Sequence, residues 1–296
     1  QDLLALYDDD EWINCPTNTM MNEKRDRMYA GDLLKWRAFT KALYCRFLIR
    51  QLPNWNNTPE TCQKIIKAVD DVLMDGNWAE PLYKFSGGVA EQNCPWGPSM
   101  PKMNLGWAQA RENLLNSALP STFLGSIMGF YPKATKTANS VKGEDGKALK
   151  SGTIFALDPR APRMMQYRAD GEGTNALRTL RNNIGMDVIY GTDYKAEYFP
   201  DLFCTTDKTN PYTRNDGYIA FITEEELLFA KAEALYWMGR KSEARDVTLE
   251  AIRVSFTRYG VYGNLDIIEE ERLAIFEELR VPAAGFTIAH IMQQKY

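Results

Sequence analysis

The sequence predicts a mostly α-helical protein built from tetratricopeptide-like helical hairpins, with a loop-rich irregular region between them. Three observations predict it. Residues 26–75 and 222–256 each repeat apolar side chains at three- and four-residue steps on both sides of a short turn. Residues 76–106 lose that period and carry Trp78, Tyr83, Phe85 and Trp96 among Gly, Pro and Asn. Residues 153–218 read as irregular structure with short strands.

The first helix is expected over Asp26–Leu52. Leu33, Trp36, Phe39, Leu43, Phe47 and Leu48 form its apolar face, and Arg37, Lys41, Arg46 and Arg50 its wetter one. Asp32 suits an N-cap and Pro53 closes the helix. Thr58 then caps a second helix with Pro59 in its first turn, Ile65, Ile66, Val69, Val72 and Leu73 as its core face, and Gly76 at its end. The 76–106 stretch is long for a connection in a compact domain, which points to function or mobility. A helix around Trp107–Leu119 follows, then an exposed Lys-, Thr-, Ser- and Gly-rich segment over 133–152.

From Ile222 the chain turns helical again. Thr223 with Glu226 three residues on has the form of a capping box. Gly239 ends that helix, Lys241–Phe256 forms its partner, and Glu269–Arg280 makes a further helix. Leu228, Ala232, Gly239, Ala244 and Ala251 match the small-residue spacing of a tetratricopeptide pair, with Thr248 in place of a large aromatic. Trp36 and Trp237 lie on helix faces and are assigned to the core.

Composition narrows the function. Lys and Arg total 35 against 39 Asp and Glu, with no basic block, so nucleic acid is not an expected partner. No apolar run approaches the ~20 residues that span a bilayer. Cys15, Cys45, Cys62, Cys94 and Cys204 are far apart and odd in number, which favours buried free thiols over a zinc site or a complete disulfide framework. His290, the single histidine, is assigned a structural role. Asp8-Asp9-Asp10-Glu11 lacks the spacing of a calcium loop, and Gly171-Glu-Gly173 lacks the third Gly of a nucleotide loop. No cofactor or metal is expected. A glycoside hydrolase would need two facing carboxylates roughly 5–10 Å apart, and none sits in a recognisable motif.

Four segments, in order, resemble the SusD/RagB family, particularly its SusD-like branch. Residues Arg27 to Arg50 are similar to the family's gDxxkWxkfAnsLklRxxxR helix, although Thr40 and Lys41 stand where the family usually has Ala-Asn. Asp158-Pro159-Arg160 is similar to its DPR turn. Ile222 to Ala234 with Gly239 is similar to its xTxaExxfxxAEAxxxG helix, and Ile291 to Tyr296 to IxxQKY.

The resemblance implies one SusD-like domain, with a helical scaffold over 26–75 and 219–296 and a loop-rich ligand region over 76–218. It also implies a non-enzymatic, lipid-anchored protein on the outer face of the outer membrane. Such a protein captures glycans, or peptides in some members, for a SusC-like TonB-dependent transporter. A plain tetratricopeptide adaptor is the reading from a different class. Gln1–Asp10 has no signal-peptide pattern and the last helix ends uncapped. The chain is therefore read as cut, lacking the lipidated N-terminal Cys with its first helix pair, the anchor through which it would meet a membrane, and the segment after Tyr296.

A sugar presents an apolar C–H face that packs on an aromatic ring, while amides and charged groups take its hydroxyls. Trp78, Tyr83, Trp96, Trp107, Asn93 and, in its own Asn-rich loop, Trp55 are the candidate ligand-binding residues on that ground. Anchoring of the loop to the helices is the other reading for Trp78 and Trp107. Asp158-Pro159-Arg160 is expected to fix a turn, with Arg160 or Arg163 pairing to a carboxylate.

Overall fold

A computed structural model describes residue 5 and residues 25–52, 57–89, 92–97, 130–131, 155–156, 158–160, 164, 168–169, 175–176, 210–261 and 267–295. The expected helix at 107–119, Trp55, Trp107, Cys15 and Cys204 lie outside them.

Among the described residues, helices follow one another as α1 (Leu33–Gln51), α2 (Pro59–Leu73), α3 (Glu224–Trp237), α4 (Lys241–Arg258), α5 (Ile267–Arg280) and α6 (Ile288–Lys295). Short strands β1 (Leu82–Lys84), β2 (Phe130–Tyr131), β3 (Phe155–Ala156), β4 (Arg168–Ala169), β5 (Asn175–Ala176) and β6 (Tyr218–Ala220) pair antiparallel as β1·β6, β2·β3 and β4·β5. The described residues are mostly helical. Two units separate: residues 1–84, 218–255 and 281–296 form one, and 85–217 with 256–280 the other.

In the first unit α3 is central. Its buried residues, Leu227, Leu228, Phe229, Ala230, Ala232, Glu233, Ala234 and Leu235, run all round the helix, which suits an element covered on several sides. Accordingly α1, α2 and α6 all pack on it. Each neighbour is also tied to it by an ion pair: Arg46 of α1 holds Glu226 through two N–H groups at 2.6 Å, Lys231 meets Asp70 of α2 at 2.6 Å, and Lys295 of α6 meets Glu233 at 2.8 Å. Thr223 caps α3 by accepting from Glu226 N. The other half of the capping box is replaced, because the Glu226 carboxylate is turned to Arg46 and the Glu80 carboxylate takes the Glu224 N–H at 2.7 Å. Gly239, at φ 78°, makes the left-handed stop before α4. Thr248 is fully buried in the second helix of the pair and spends its hydroxyl on the Ala244 carbonyl at 2.7 Å.

Asp32 and Thr58 cap α1 and α2 as expected, and Pro59 opens α2. Three expectations are corrected. Residues 26–31 are not helix: they wrap around the Asp26 carboxylate, which accepts from Met28 N, Tyr29 N, Gly31 N and Trp36 Nε1 at 2.8–3.1 Å. Ala30 at φ 55° and Gly31 at φ 88° turn those amides inward. Phe47 is 61% exposed, since the covered stripe of α1 is Ala38, Phe39, Ala42, Cys45, Leu48 and Ile49. Trp237 is 41% exposed at the last turn of α3 and is not core.

Cys45, Cys62 and Cys94 are buried, with Cys45 and Cys62 as free thiols. Burial pushes the Cys45 thiol up to about 12, and burial with the Glu233 carboxylate raises Cys62, so neither supplies a thiolate near neutral pH. His290 is structural: its Nδ1 accepts from Thr287 N at 3.0 Å at the start of α6, and its ring stacks on Phe286 at 5.8 Å.

Candidate functional site

The expected ligand residues fall in both units. In the first, the 76–84 segment leaves α2 through a turn in which Trp78 N donates to Asp75 O at 2.8 Å, and Trp78 is half-buried. Tyr83 lies on β1 opposite Ile219. Its hydroxyl accepts from Arg27 Nη1 at 3.2 Å, with the guanidinium carbon 5.7 Å from the ring centroid, so Arg27 engages both the polar and the π part of that side chain.

In the second unit, two loops far apart in sequence are fastened together. Phe85 N donates to Gly217 O at 2.9 Å and Cys94 N to Asn215 O at 2.8 Å, while the Cys94 thiol points at Tyr212 O, 3.4 Å away. Two glycines set the closeness of the join. A Cβ on Gly87, which has φ 67°, would stand 2.9 Å from Asp216 Cβ; one on Gly97 would stand 2.7 Å from Asn215 Oδ1 and 2.8 Å from Asn215 Cα. The 210–217 loop is itself closed, by Tyr212 N on Asn210 Oδ1 at 3.0 Å and Gly217 N on Arg214 O at 3.1 Å.

Trp96 rides on this frame. It occupies the turn closed by Gly97 N on Cys94 O at 2.8 Å and is half-buried. Asn93, at its root, is buried. Tyr212, on the facing loop, lies 6.0 Å from the ring of Tyr259, and both are half-buried. Polar groups share the same two loops: Ser86 Oγ donates to Gln92 Oε1 at 2.6 Å, and Arg214 forks onto Asp216. The Arg214 guanidinium holds the Asp216 carboxyl below the usual carboxylate range, so the pair stays ionised and mutually neutralised at neutral pH. Among the described residues no three His, Cys, Asp or Glu side chains stand close enough to hold a metal, and no helix is long and apolar enough to cross a membrane.

No family model matches the sequence, and no curated protein does. Among solved structures the chain is similar to a SusD homolog from Parabacteroides distasonis, at TM-score 0.51 and 19% identity over 93% of this chain and 52% of that one. The chain has a SusD-like fold. A SusD homolog from Bacteroides fragilis aligns at TM-score 0.46 and 14% identity over 92% of this chain and 53% of its own. The SusD-like chain thus spans about half the length of either homolog.

Trp96 is a candidate from sequence, whereas Tyr212 and Tyr259, which the structure places in the same unit, are not. The signal for Tyr212 was present in Asn210-Pro211 and Asp216-Gly217, which bracket a turn-rich loop around an aromatic. Nothing local indicates that this loop joins the one carrying Trp96. The join gives a prediction. Gly97→Ala drives a methyl into the Asn215 backbone, which can only be relieved by parting the loops. It is expected to weaken any binding that Trp96 supports at least as much as Trp96→Ala does, with the helical circular dichroism spectrum unchanged. Wild-type affinity in Gly97→Ala would show that the join does not position the site.

Proposed function

We propose that the protein is a non-catalytic binding protein of the outer-membrane surface that captures glycans and passes them to a SusC-like TonB-dependent transporter. In this reading a lipid anchor holds it to the membrane. The observation that carries the reading is the fastened loop pair, with Trp96 in a closed turn of one loop and Tyr212 on the other, within a chain of SusD-like fold. Rigid aromatics suit sugars because little conformational entropy is lost when the C–H face of a ring settles on them. Ser86, Gln92, Arg214 and Asp216 supply donors and acceptors for hydroxyls along the same loops. A site of this kind is shallow, so single contacts are weak and repeated sugars on one polymer raise the avidity.

Affinity gel electrophoresis against a panel of polysaccharides, with product analysis of the same mixtures, tests it. Retardation by at least one glycan without cleavage is expected. Trp96→Ala should weaken that binding about three- to tenfold, the worth of one aromatic stacking contact, while Tm falls by no more than about 3 °C. Cleavage products would overturn the non-catalytic assignment. Absence of retardation across the panel would remove the glycan and turn the search to peptides.

A further inference from the structure

We infer that Asp216, forked to Arg214 on the joined loops, makes the candidate site select neutral glycans over acidic ones; the inference rests on the capture reading above and narrows its ligand class. The joined loops expose few polar groups. Among the described residues of 85–89, 92–97 and 210–217, the exposed polar side chains are Ser86, Gln92, Arg214 and Asp216. Arg214 and Asp216 are also the only charged residues there, and residues 90–91, between the first two stretches, add no cation. A ligand reaching these loops therefore meets aromatics, a neutral Ser86–Gln92 pair and one ion pair closed on itself. Among these residues no cation is left over to receive a carboxylate or a sulfate.

The join holds the ion pair in place. Gly87 lies so close to Asp216 that an added Cβ would stand 2.9 Å from Asp216 Cβ and 3.0 Å from its N, and Gly97 abuts Asn215 in the same way. Ser86 and Trp96 each adjoin one of those glycines, so hydroxyl, aromatic and ion pair belong to one short stretch of joined backbone. Arg214 Nε donates to Asp216 Oδ1 at 2.8 Å, and Nη2 donates to Oδ2. The fork takes one lone pair from each carboxylate oxygen and leaves the other. Both side chains are nearly half open, 43% for Arg214 and 48% for Asp216, so the remaining lone pairs can accept from neighbouring hydroxyls of a sugar. A uronate or a sulfate ester meets the opposite situation. It brings a second negative charge to an ionised carboxylate and competes with it for the same guanidinium. Arg214 is thus a positioning residue, and Asp216 is the group that sorts ligands.

The test pairs a neutral polysaccharide that retards the wild-type chain with the same polymer after oxidation of part of its primary alcohols to carboxylates, in gels at low ionic strength. The wild type is expected to bind the oxidised form about five- to tenfold more weakly, the effect of one exposed like-charge contact. Asp216→Asn keeps the size and an acceptor oxygen but loses the charge, and should bring the two polymers within about twofold of each other. Arg214→Gln should keep the discrimination, since the carboxylate stays. Should Asp216→Asn lower Tm by more than about 3 °C, Asp216→Ser carries the test. A wild type that binds the oxidised polymer as tightly as its parent, or that only acidic polymers retard, overturns the selection and leaves the capture reading standing. Unchanged discrimination in the folded Asp216 variant overturns the role of Asp216. A wild-type chain that no polysaccharide retards overturns both readings.

Discussion

Replacing Asp26 by alanine is expected to cost about 4 kcal/mol and to lower Tm by about 10 °C, one of the two largest effects of any single substitution described here. Asp26 is 5% exposed and its carboxylate gathers the N–H groups of Met28, Tyr29 and Gly31 and the indole N–H of Trp36. Removing it leaves those donors facing one another with no acceptor, at a bend where Ala30 already sits at φ 55°. The damage spreads along a chain of rings. Trp36 packs edge-on to Tyr29 at 5.5 Å and against Phe39 at 5.7 Å, and Phe39 meets Phe221 at 6.4 Å. Tyr29 also donates its hydroxyl to Ala79 O at 2.8 Å, which ties the start of α1 to the segment leading into β1. Urea or thermal unfolding of Asp26→Ala measures the loss, and a cost under about 1 kcal/mol would show that the turn is held by something else.

The same group sets a pH dependence. Burial works to raise the Asp26 carboxyl, but the hydrogen bonds from Trp36, Gly31, Tyr29 and Met28 outweigh it and hold the group below its ordinary value of 3.8. A carboxyl depressed in the folded state contributes stability that is present above the unfolded value and is lost as pH falls through the folded one. Asp75, lowered by Lys41 and Asn77 against its own burial, and Asp216, lowered by Arg214, act with the same sign. Tm of the wild type should therefore fall as pH drops from about 5 to 3. Asp26→Asn, already deprived of the charge, should fall less steeply, so the two curves converge in acid. Parallel curves would mean that the Asp26 charge is not the source.

What the sequence disclosed and what it hid follow from the range of the interactions. The caps at Asp32, Thr58 and Thr223 and the stop at Gly239 are decided within a turn of chain, and each was legible. Periodicity puts Phe47 on an apolar face and Trp237 in the core, because it marks an apolar stripe without saying how far the neighbouring helices extend over it. On α1 the covered stripe follows Ala38, Ala42 and Cys45, small residues that let α2 and α3 come close, and Phe47 falls beside it. The Asp26 turn was hidden because its partners are backbone amides oriented by positive φ at a residue, Ala30, that gives no such hint. For the candidate site, the turn that carries Trp96 was legible from its Pro and Gly neighbours. The fastening to 210–217, and with it Tyr212, was not, because more than a hundred residues separate the two loops.

Asp158 and Arg160 make the other large prediction. Asp158 is 2% exposed, and its Oδ1 accepts from Arg160 N at 2.9 Å and Nε at 3.0 Å while Oδ2 takes Nη2 at 2.6 Å. The motif therefore closes on itself, Arg160 choosing the carboxylate two residues before it. The guanidinium then lies 5.3 Å from the ring centroid of Phe256 and 6.0 Å from that of Phe276, two fully buried rings 5.5 Å from each other. Asp158→Ala removes the acceptor of three Arg160 N–H groups and should cost about 3–5 kcal/mol, as should Arg160→Ala for the buried carboxylate left behind. Lysine should not rescue position 160, because an ammonium cannot donate to both oxygens in a plane and lie flat over two rings. The pair is decisive when both charges go. Asp158→Leu with Arg160→Met should be well above the sum of the single losses in stability, since no uncompensated charge remains buried. If the two losses simply add in urea unfolding, the fork contributes nothing as a pair, and the turn is held by other contacts, the bond from Met164 N to Arg160 O among them.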